Sequence, residues 1–324
     1  MQQTLAPNTT NPQNSDTIYI LLSIYNGALY LNAQLTSLEQ QSHTNWVLLW
    51  RDDGSTDNSR AIMQAFTAKV TDARCKAVTS ENGQHKGILA SYFILLSAVP
   101  DTAMVAFCDQ DDVWLPDKLT RGTHALRAIP VVQPALYCAR QTLTDAHLTP
   151  IGLSPPLPSD TTFLEAMAQN IATGCTIMLS PAACKLLKQS PPPAGGILHD
   201  WWAYLMVCAA GGSVVTDNQP VLLYRQHANN AVGSRALFLH RALAALKRGP
   251  SVFMAIFWGN VQTLLARRHL VAPQNLKSLL ILEKGVQPGF AGFLSRFSIL
   301  QQLPHLKRKG MLEQLVFKLW FLLG

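Results

Sequence analysis

Short apolar runs alternate with amphipathic stretches through the first third of the chain. Ile18 to Ser23 is one such run; it ends in Tyr25-Asn26-Gly27, and Leu29, Leu31, Leu35 and Leu38 follow at spacings that suit one helix face. Trp46 to Trp50 repeats the pattern, ending in Arg51-Asp52-Asp53-Gly54-Ser55 before Ile62, Met63 and Phe66 resume a helical spacing. A third strand is predicted near Cys75 to Thr79, a helix near Gly87 to Ala98, and a fourth strand at Ala103 to Phe107. Strands alternating with helices imply a mostly parallel sheet covered on both faces. Crossover handedness then gathers the turns after all the strands at one edge, where open α/β sheets bind ligands.

That edge collects carboxylates. Asp109, Asp111 and Asp112 fall within four residues directly after the fourth strand, and such groups repel one another unless a cation sits between them. Hard divalent ions take oxygen ligands and are held by one or two carboxylates together with substrate phosphates. The residues alone read as a metal and diphosphate site, with an acidic surface turn as the alternative. The topology brings Asp52 and Asp53 to the same edge. Ser55 or Asp57 is expected to cap the second helix, leaving Asp52 and Asp53 free for a ligand.

Composition narrows the class. Of 324 residues, 48% are hydrophobic and 14% charged, which excludes a disordered chain. No apolar run reaches the length of a spanning helix. Met1 to Asp16, rich in Gln, Asn, Thr and Pro, is expected to be a disordered lead-in without signal-peptide character, which places the protein in the cytoplasm. Cys75, Cys108, Cys138, Cys175, Cys184 and Cys208 are scattered among apolar neighbours and read as buried reduced thiols. The net charge of +7 is uneven, with acidic clusters in the first half and Arg and Lys gathered after Arg235.

Three motifs in order, Ser23-Ile24-Tyr25-Asn26-Gly27, Arg51-Asp52-Asp53-Gly54-Ser55-Thr56-Asp57 and Cys108-Asp109-Gln110-Asp111-Asp112-Val113-Trp114-Leu115-Pro116-Asp117-Lys118-Leu119, resemble those of family 2 glycosyltransferases. The resemblance covers roughly Thr17 to Gly233, and the fuller strings are similar to bacterial rhamnosyltransferases of surface-polysaccharide assembly. It implies an α/β GT-A fold, a mixed sheet flanked by helices, over residues 17–233, followed by a helical extension over 234–324.

The resemblance also implies roles. Tyr25 and Asp53 would hold the nucleotide base of a nucleotide-sugar donor, Asp109 would lie against the ribose, and Asp111 would bind a divalent cation, Mn²⁺ or Mg²⁺, bridging the diphosphate. Asp112 has no implied role beyond capping the helix expected near Pro116. Asn82-Gly83 and His85-Lys86-Gly87 match a region that runs near the donor, although a solvated turn suits Lys86 equally. Gly174, in Thr173-Gly174-Cys175, corresponds to a loop passing close to the donor sugar. Asp200, in His199-Asp200-Trp201-Trp202, corresponds to the catalytic base, and an aromatic pair beside a carboxylate raises its pKa. Trp201 and Trp202 suit a sugar's apolar face, although composition alone favours the core. His227 corresponds to a residue that completes metal coordination, with a structural role equally open.

Departures from the family refine this reading. No Gln-x-x-Arg-Trp string is present, which argues against repeated addition to a held chain. Pro191-Pro192-Pro193 and Gly195-Gly196 read as a loop over the acceptor site. From Ala236 onward Leu, Phe and Trp mix with Arg and Lys; Gly249-Pro250 and Ala272-Pro273 are expected to divide separate helices. These helices either lie on a membrane surface, serving a lipid-linked saccharide acceptor on the cytoplasmic face of the inner membrane, or pack on the core with a solvated basic face. Nucleic acid is not expected as a partner, since no reading motif accompanies the charge. The leading expectation is an inverting, metal-dependent transfer of a sugar, rhamnose from dTDP-rhamnose by subfamily likeness, in O-antigen or capsule synthesis. The alternatives are a non-catalytic saccharide-binding or assembly component of the same fold, and a phosphohydrolase.

Overall fold

The parallel half of the sheet forms as its apolar runs predict. β1 (Ile18–Ile24), β2 (Trp46–Asp52), β3 (Cys75–Ala77) and β4 (Met104–Cys108) lie in the order β3-β2-β1-β4, all parallel. The computed structural model describes residues 17–79, 85–193, 197–227 and 238–324, the last stretch with side chains from 251 onward. α1 (Ala28–Glu39), α2 (Ser59–Val70) and α3 (Ile88–Ser97) make the crossovers. Ile24 pairs with Asp52 and Leu22 with Cys108, so the three central strands end together and release Tyr25, Asp53 and Asp109 at one edge. Leu31, Leu35 and Leu38 are buried on α1, whereas Leu29, expected on the same face, points to solvent.

Beyond β4 the sheet becomes mixed. After β5 (Val113–Trp114) and α4 (Lys118–Arg127) come β6 (Ala135–Thr144), β7 (Pro150–Leu153), α5 (Phe163–Ala168), a 3₁₀ turn at Gly174–Thr176 and β8 (Met178–Leu179). α6 (Pro181–Gln189), α7 (His199–Ala209) and the long β9 (Ser213–Arg225) complete the fold. β8 lies antiparallel between β4 and β6, while β9 runs parallel to β6 and pairs antiparallel with β5. The 13-residue length of β9 matters for the site, because its far end returns to the acidic segment.

The loop after β2 ties the first two crossovers together. The backbone N–H groups of Asn26, Gly27 and Ala28, at the start of α1, donate to Ser55 Oγ (3.0 Å), Ser59 Oγ (2.8 Å) and Asp57 Oδ2 (3.0 Å). Asp57 Oδ1 also accepts from Ser59 N at 2.9 Å, so this carboxylate serves two helix starts, where partial positive charge favours it.

Two apolar clusters fill the two faces of the sheet. One holds side chains of α1, α2 and α4; the other holds α3, α5, α6 and α7 together with much of the C-terminal region. That region forms α8 (Phe238–Ala266), α9 (Pro273–Glu283), α10 (Gly289–Gln302) and α11 (Met311–Leu323). Met254, Phe257, Val261, Leu264, Phe317 and Phe321 are buried in the second cluster, and burial of each such side chain contributes about 1.5–3 kcal/mol. Ala272-Pro273 starts a helix as expected. Gly249-Pro250 does not end one, since α8 runs through it; the buried residues that follow outweigh the local preference of that dipeptide. All six cysteines are buried and free. Among the described residues, no helix is long and apolar enough to cross a membrane. Met1–Asp16, Asn82-Gly83, Gly195-Gly196 and the expected boundary at 233–234 lie outside the described residues.

Candidate active site

Four chain segments meet at the carboxyl edge of the sheet: the ends of β1, β2 and β4, and the end of β9. Gln110 joins the first and third. Its side-chain oxygen accepts from Tyr25 N at 2.9 Å and its nitrogen donates to Tyr25 O at 3.0 Å. A Cβ on Gly27 would lie 2.3 Å from Gln110 Oε1, so a side chain there would push aside the Gln110 amide that joins the two turns. Tyr25 itself is half-exposed, with its ring 4.8 Å from that of His85, and offers a flat aromatic surface at the rim.

Asp52 and Asp53 are not free, which corrects the expectation made for them. Asp53 is buried and ion-paired with Arg51, accepts from Lys86 N and Gly87 N at 2.8 Å each, and lies 3.0 Å from His85 Nδ1. Burial pushes its carboxyl up, but the two amides and Arg51 prevail and hold it below the ordinary value. Asp52 accepts from Ser55 N at 3.1 Å and pairs with Arg60 at 3.0 Å. Asp53 therefore organises the 85–87 turn, where Gly87 takes φ +81° in open space. Both carboxylates satisfy protein donors because the turns after β2 and before α3 present amides with no strand or helix partner beside them.

Asp109 faces the interior. Tyr92 Oη lies 2.9 Å from its Oδ1 and 2.7 Å from Cys108 O. Burial first, then the charges of Asp111 and Asp200, push the Asp109 carboxyl up to about 7. Asp112 is fully buried and caps no helix; its Oδ1 accepts from Arg225 N at 3.2 Å, which corrects the expected role near Pro116. The cap position of α4 is Asp117.

Asp111 and His227 meet across the edge, with Asp111 Oδ2 and His227 Nε2 2.9 Å apart. β9 brings His227 there. Arg225 Nε donates to Asp111 O at 2.8 Å, its guanidinium lies 4.5 Å from the Tyr30 ring centre, and Tyr30 in turn stacks 4.6 Å from His227. The two groups are hydrogen-bonded to each other, and the same carboxylate oxygen and imidazole nitrogen are ligand types that divalent cations take. Asp109, Asp112 and Cys175 also have ligand atoms within 4.8 Å of one another. Burial pushes the Cys175 thiol and the Asp112 carboxyl well up; this buried group and the pair of Asp111 and His227 are two places whose ligand atoms lie close enough to hold a cation.

Asp200 occupies the first turn of α7 and is almost buried. Burial pushes its carboxyl up to about 6 against hydrogen bonds from Trp201 N, Gly174 N and the Asn170 side chain. Gly174 is buried and supports Asp200 by its amide; a Cβ there would lie 2.8 Å from His199 Nε2. Contact with a donor sugar, expected of Gly174, does not follow from this placement. His199 stacks on Tyr92 at 3.8 Å and meets Phe107 edge-on at 4.9 Å; burial holds it down to about 3, so the ring is neutral. Trp202 is a core residue, fully buried with Nε1 donating to Ser190 O at 2.6 Å, which corrects its expected sugar contact. Trp201 is half-buried, donates to Ala166 O at 2.8 Å and stacks toward Phe253. Helical geometry separates adjacent residues by 100°, so the two rings face different surroundings.

Sequence reasoning assigned no role to several side chains here. Lys118 is fully buried with its ammonium 3.4 Å from the Trp114 ring centre. Burial holds it down to about 8, against the pull of Cys108, Cys175 and Asp112. Lys118 and Gln110 lie in the third motif string and Arg225 lies two residues before His227, so a signal for them existed. Tyr92 lies in an apolar helix that carries no such signal.

With this geometry in place, comparison with known proteins is specific. The profile described as Glycosyl transferase family 2 matches residues 19–185. The chain is 26% identical over 224 residues to the dTDP-rhamnosyl transferase RfbG of Shigella flexneri, covering 67% of this chain and 75% of that protein. It is 32% identical over 102 residues to the UDP-Glc:alpha-D-GlcNAc-diphosphoundecaprenol beta-1,3-glucosyltransferase WfgD of Escherichia coli, covering 32% of this chain and 38% of that one. Among solved structures, the mannosyltransferase PcManGT from Pyrobaculum calidifontis, in complex with GDP-Man and Mn²⁺, superposes with a TM-score of 0.51 at 16% identity, covering 97% of this chain and 87% of the other. The mixed sheet, the motif-bearing edge and the matched span agree: the chain has the GT-A fold and belongs to glycosyl transferase family 2.

Proposed function

We propose that this glycosyltransferase moves a sugar from a nucleotide-diphosphate donor to a saccharide hydroxyl in one inverting displacement, with Asp200 as the base. The observation that carries the reading is the placement of Asp200: nearly buried, raised to about 6, and close enough to Asp109 for its charge to push that carboxyl up. A carboxylate with that proton affinity is ionised at neutral pH and still accepts a proton in the transition state. It removes the acceptor hydroxyl's proton as the oxygen attacks the anomeric carbon. The bond from that carbon to the diphosphate breaks on the opposite face, and the nucleoside diphosphate leaves with the bonding pair.

Tyr25 and the turn organised by Asp53 receive the base, and Asp109 faces the ribose. Asp111 and His227 would hold a divalent cation, which supplies charge neutralisation for the leaving diphosphate. Trp201 is the remaining aromatic candidate for the acceptor. The assignment of rhamnose from dTDP-rhamnose draws on the likeness to RfbG. A lipid-linked saccharide acceptor on the cytoplasmic membrane face, in O-antigen or capsule synthesis, draws on the likeness to WfgD.

Thermal denaturation with UDP-, GDP- and dTDP-sugars, each with and without Mn²⁺, tests the donor. A ligand at about 100 times its dissociation constant adds about 2.7 kcal/mol. Metal-dependent stabilisation by dTDP-rhamnose is expected; stabilisation confined to another carrier overturns the rhamnose assignment, and none with any carrier overturns the donor site.

A further inference from the structure

α10 is built inside out. Phe290, Phe293, Leu294 and Phe297 fall at the i, i+3, i+4, i+7 spacing of an apolar helix face, yet all four are exposed. The opposite side of the helix is turned inward and carries Arg296, which is buried. Its guanidinium is satisfied by Leu322 O and Gln287 O at 3.1 and 3.0 Å and by Gly285 O at 3.1 Å. Ile299 and Gly292 are buried beside Arg296, so α10 meets the core on its inner face and carries a second apolar face that nothing covers among the described residues.

α11, joined to α10 by the Arg296 to Leu322 bond, repeats the feature. Phe317 and Phe321 are buried against α8, while Met311, Leu315, Leu319 and Leu323 recur every fourth residue on an exposed stripe. Across the two helices these exposed side chains range from 37% to 83% accessible. Scattered apolar residues on a surface need no explanation, but two helical stripes of Phe and Leu on packed neighbours mark an interaction site.

Charge selects the partner. Between Ser251 and Gly324 there are nine Lys and Arg residues and two acidic ones, Glu283 and Glu313. Lys284 precedes α10, Lys307 and Lys309 precede α11, and Lys318 lies within it, all four exposed. A second copy of the chain would set these cations against their own kind. An anionic bilayer complements them, because long basic side chains reach lipid headgroups while aromatic and aliphatic groups enter the acyl boundary. We infer that the exposed faces of α10 and α11 form a monotopic docking surface for an anionic lipid bilayer. The inference rests on the proposed lipid-linked acceptor for its purpose, and it is independent of the donor assignment.

Flotation of the full chain with phosphatidylcholine vesicles, with and without phosphatidylglycerol, tests it. The protein is expected to float with the anionic vesicles and less as salt rises. The variant carrying F290S, F297S, L315S and L319S is expected to lose binding by roughly tenfold or more, while its thermal stabilisation by nucleotide-sugar and Mn²⁺ matches the parent. That retained donor response shows the variant folded and separates this inference from the donor reading. A parent chain that stays unbound, a variant that floats as well as the parent, or light scattering that shows a dimer dissolved by the same substitutions each overturns the proposal.

Discussion

With Asp200 proposed as the base, replacing it by Asn should separate proton transfer from donor binding, and its raised carboxyl gives the pH profile expected of the parent. With the carboxyl at about 6, roughly nine-tenths is ionised at pH 7 and roughly one-tenth at pH 5. The transfer rate at saturating donor and acceptor should therefore fall close to tenfold between those values. A carboxyl at its ordinary value would lose less than about a tenth of its ionised form over the same interval. Asp200→Asn should lower the rate by about 10²–10⁴ and flatten what remains. Stability gives an independent check. The folded value lies above the unfolded one, so the folded state binds more protons in between, and burial of the charge costs stability that appears as pH rises through about 4 to 6. Asp200→Asn should then melt higher than the parent at pH 7.5, by up to roughly 3 kcal/mol, and equally at pH 4. Initial rates of nucleoside-diphosphate release from pH 4.5 to 8, with melting curves across the same range, decide it. A rate unchanged down to pH 5, or a variant with more than a tenth of the parent's rate, would falsify the assignment of the base.

Three further outcomes follow from the same edge. Asp53→Ala removes the buried carboxylate that pairs with Arg51 and accepts from Lys86 N and Gly87 N, and should cost about 3–5 kcal/mol in urea denaturation at pH 7. Because Asp53 is held below its ordinary value, its contribution is present above about 3.9 and disappears as pH falls through the folded value, so parent and variant should converge in acid. Asp111→Asn should abolish the Mn²⁺-dependent part of donor stabilisation, read by thermal shift against the variant's own metal-free melting point; an unchanged Mn²⁺ response would assign the cation elsewhere. Trp202→Ala should cost about 3–5 kcal/mol as a core cavity, and Trp202→Phe should restore the donor response; a lost acceptor response in a Trp202→Phe protein of normal stability would return Trp202 to the site.

The parallel half of the fold was legible because β1, β2 and β4 are buried on both faces and read as unbroken apolar runs. β8 has only two residues, and β9 mixes Asp217, Asn218, Gln219 and Pro220 into its length, so neither carries a periodic signal. The residues singled out from the motif strings, Asp109, Asp111, Asp200 and His227, do come to one edge. What a string cannot give is direction. Asp53 and Asp111 look alike in sequence, yet one is enclosed by amides and a guanidinium and the other meets an imidazole. Trp201 and Trp202 are adjacent, and the helix sends them to different surroundings. The inverted face of α10 was hidden for the same reason: periodicity reveals a stripe but not which way it points.

The distribution of charge links these parts into one electrostatic design. Residues 1–233 contain thirteen Lys and Arg against seventeen acidic residues, whereas 234–324 contain thirteen against two. At the sheet edge, Asp109, Asp111 and Asp112 share little compensation, since Arg51 is taken by Asp53 and Arg225 reaches Asp111 through a backbone oxygen. Lys118 stands over Trp114 beneath them as a buried cation. Two carboxyls respond by rising, Asp109 to about 7 and Asp112 well above the ordinary range, each with burial as the first cause and neighbouring acids next. Such an edge favours any ligand that adds positive charge between its carboxylates and disfavours a bare diphosphate. On the proposed function, cation and donor would therefore reinforce one another's binding, and the reciprocity of linked equilibria requires the effect to be the same in either order of addition. The positive surplus lies instead in the C-terminal region, where Lys284, Lys307 and Lys309 flank the helices that carry the exposed stripes, so the surface proposed to attract an anionic membrane is separate in sequence from the acidic edge proposed to hold the diphosphate.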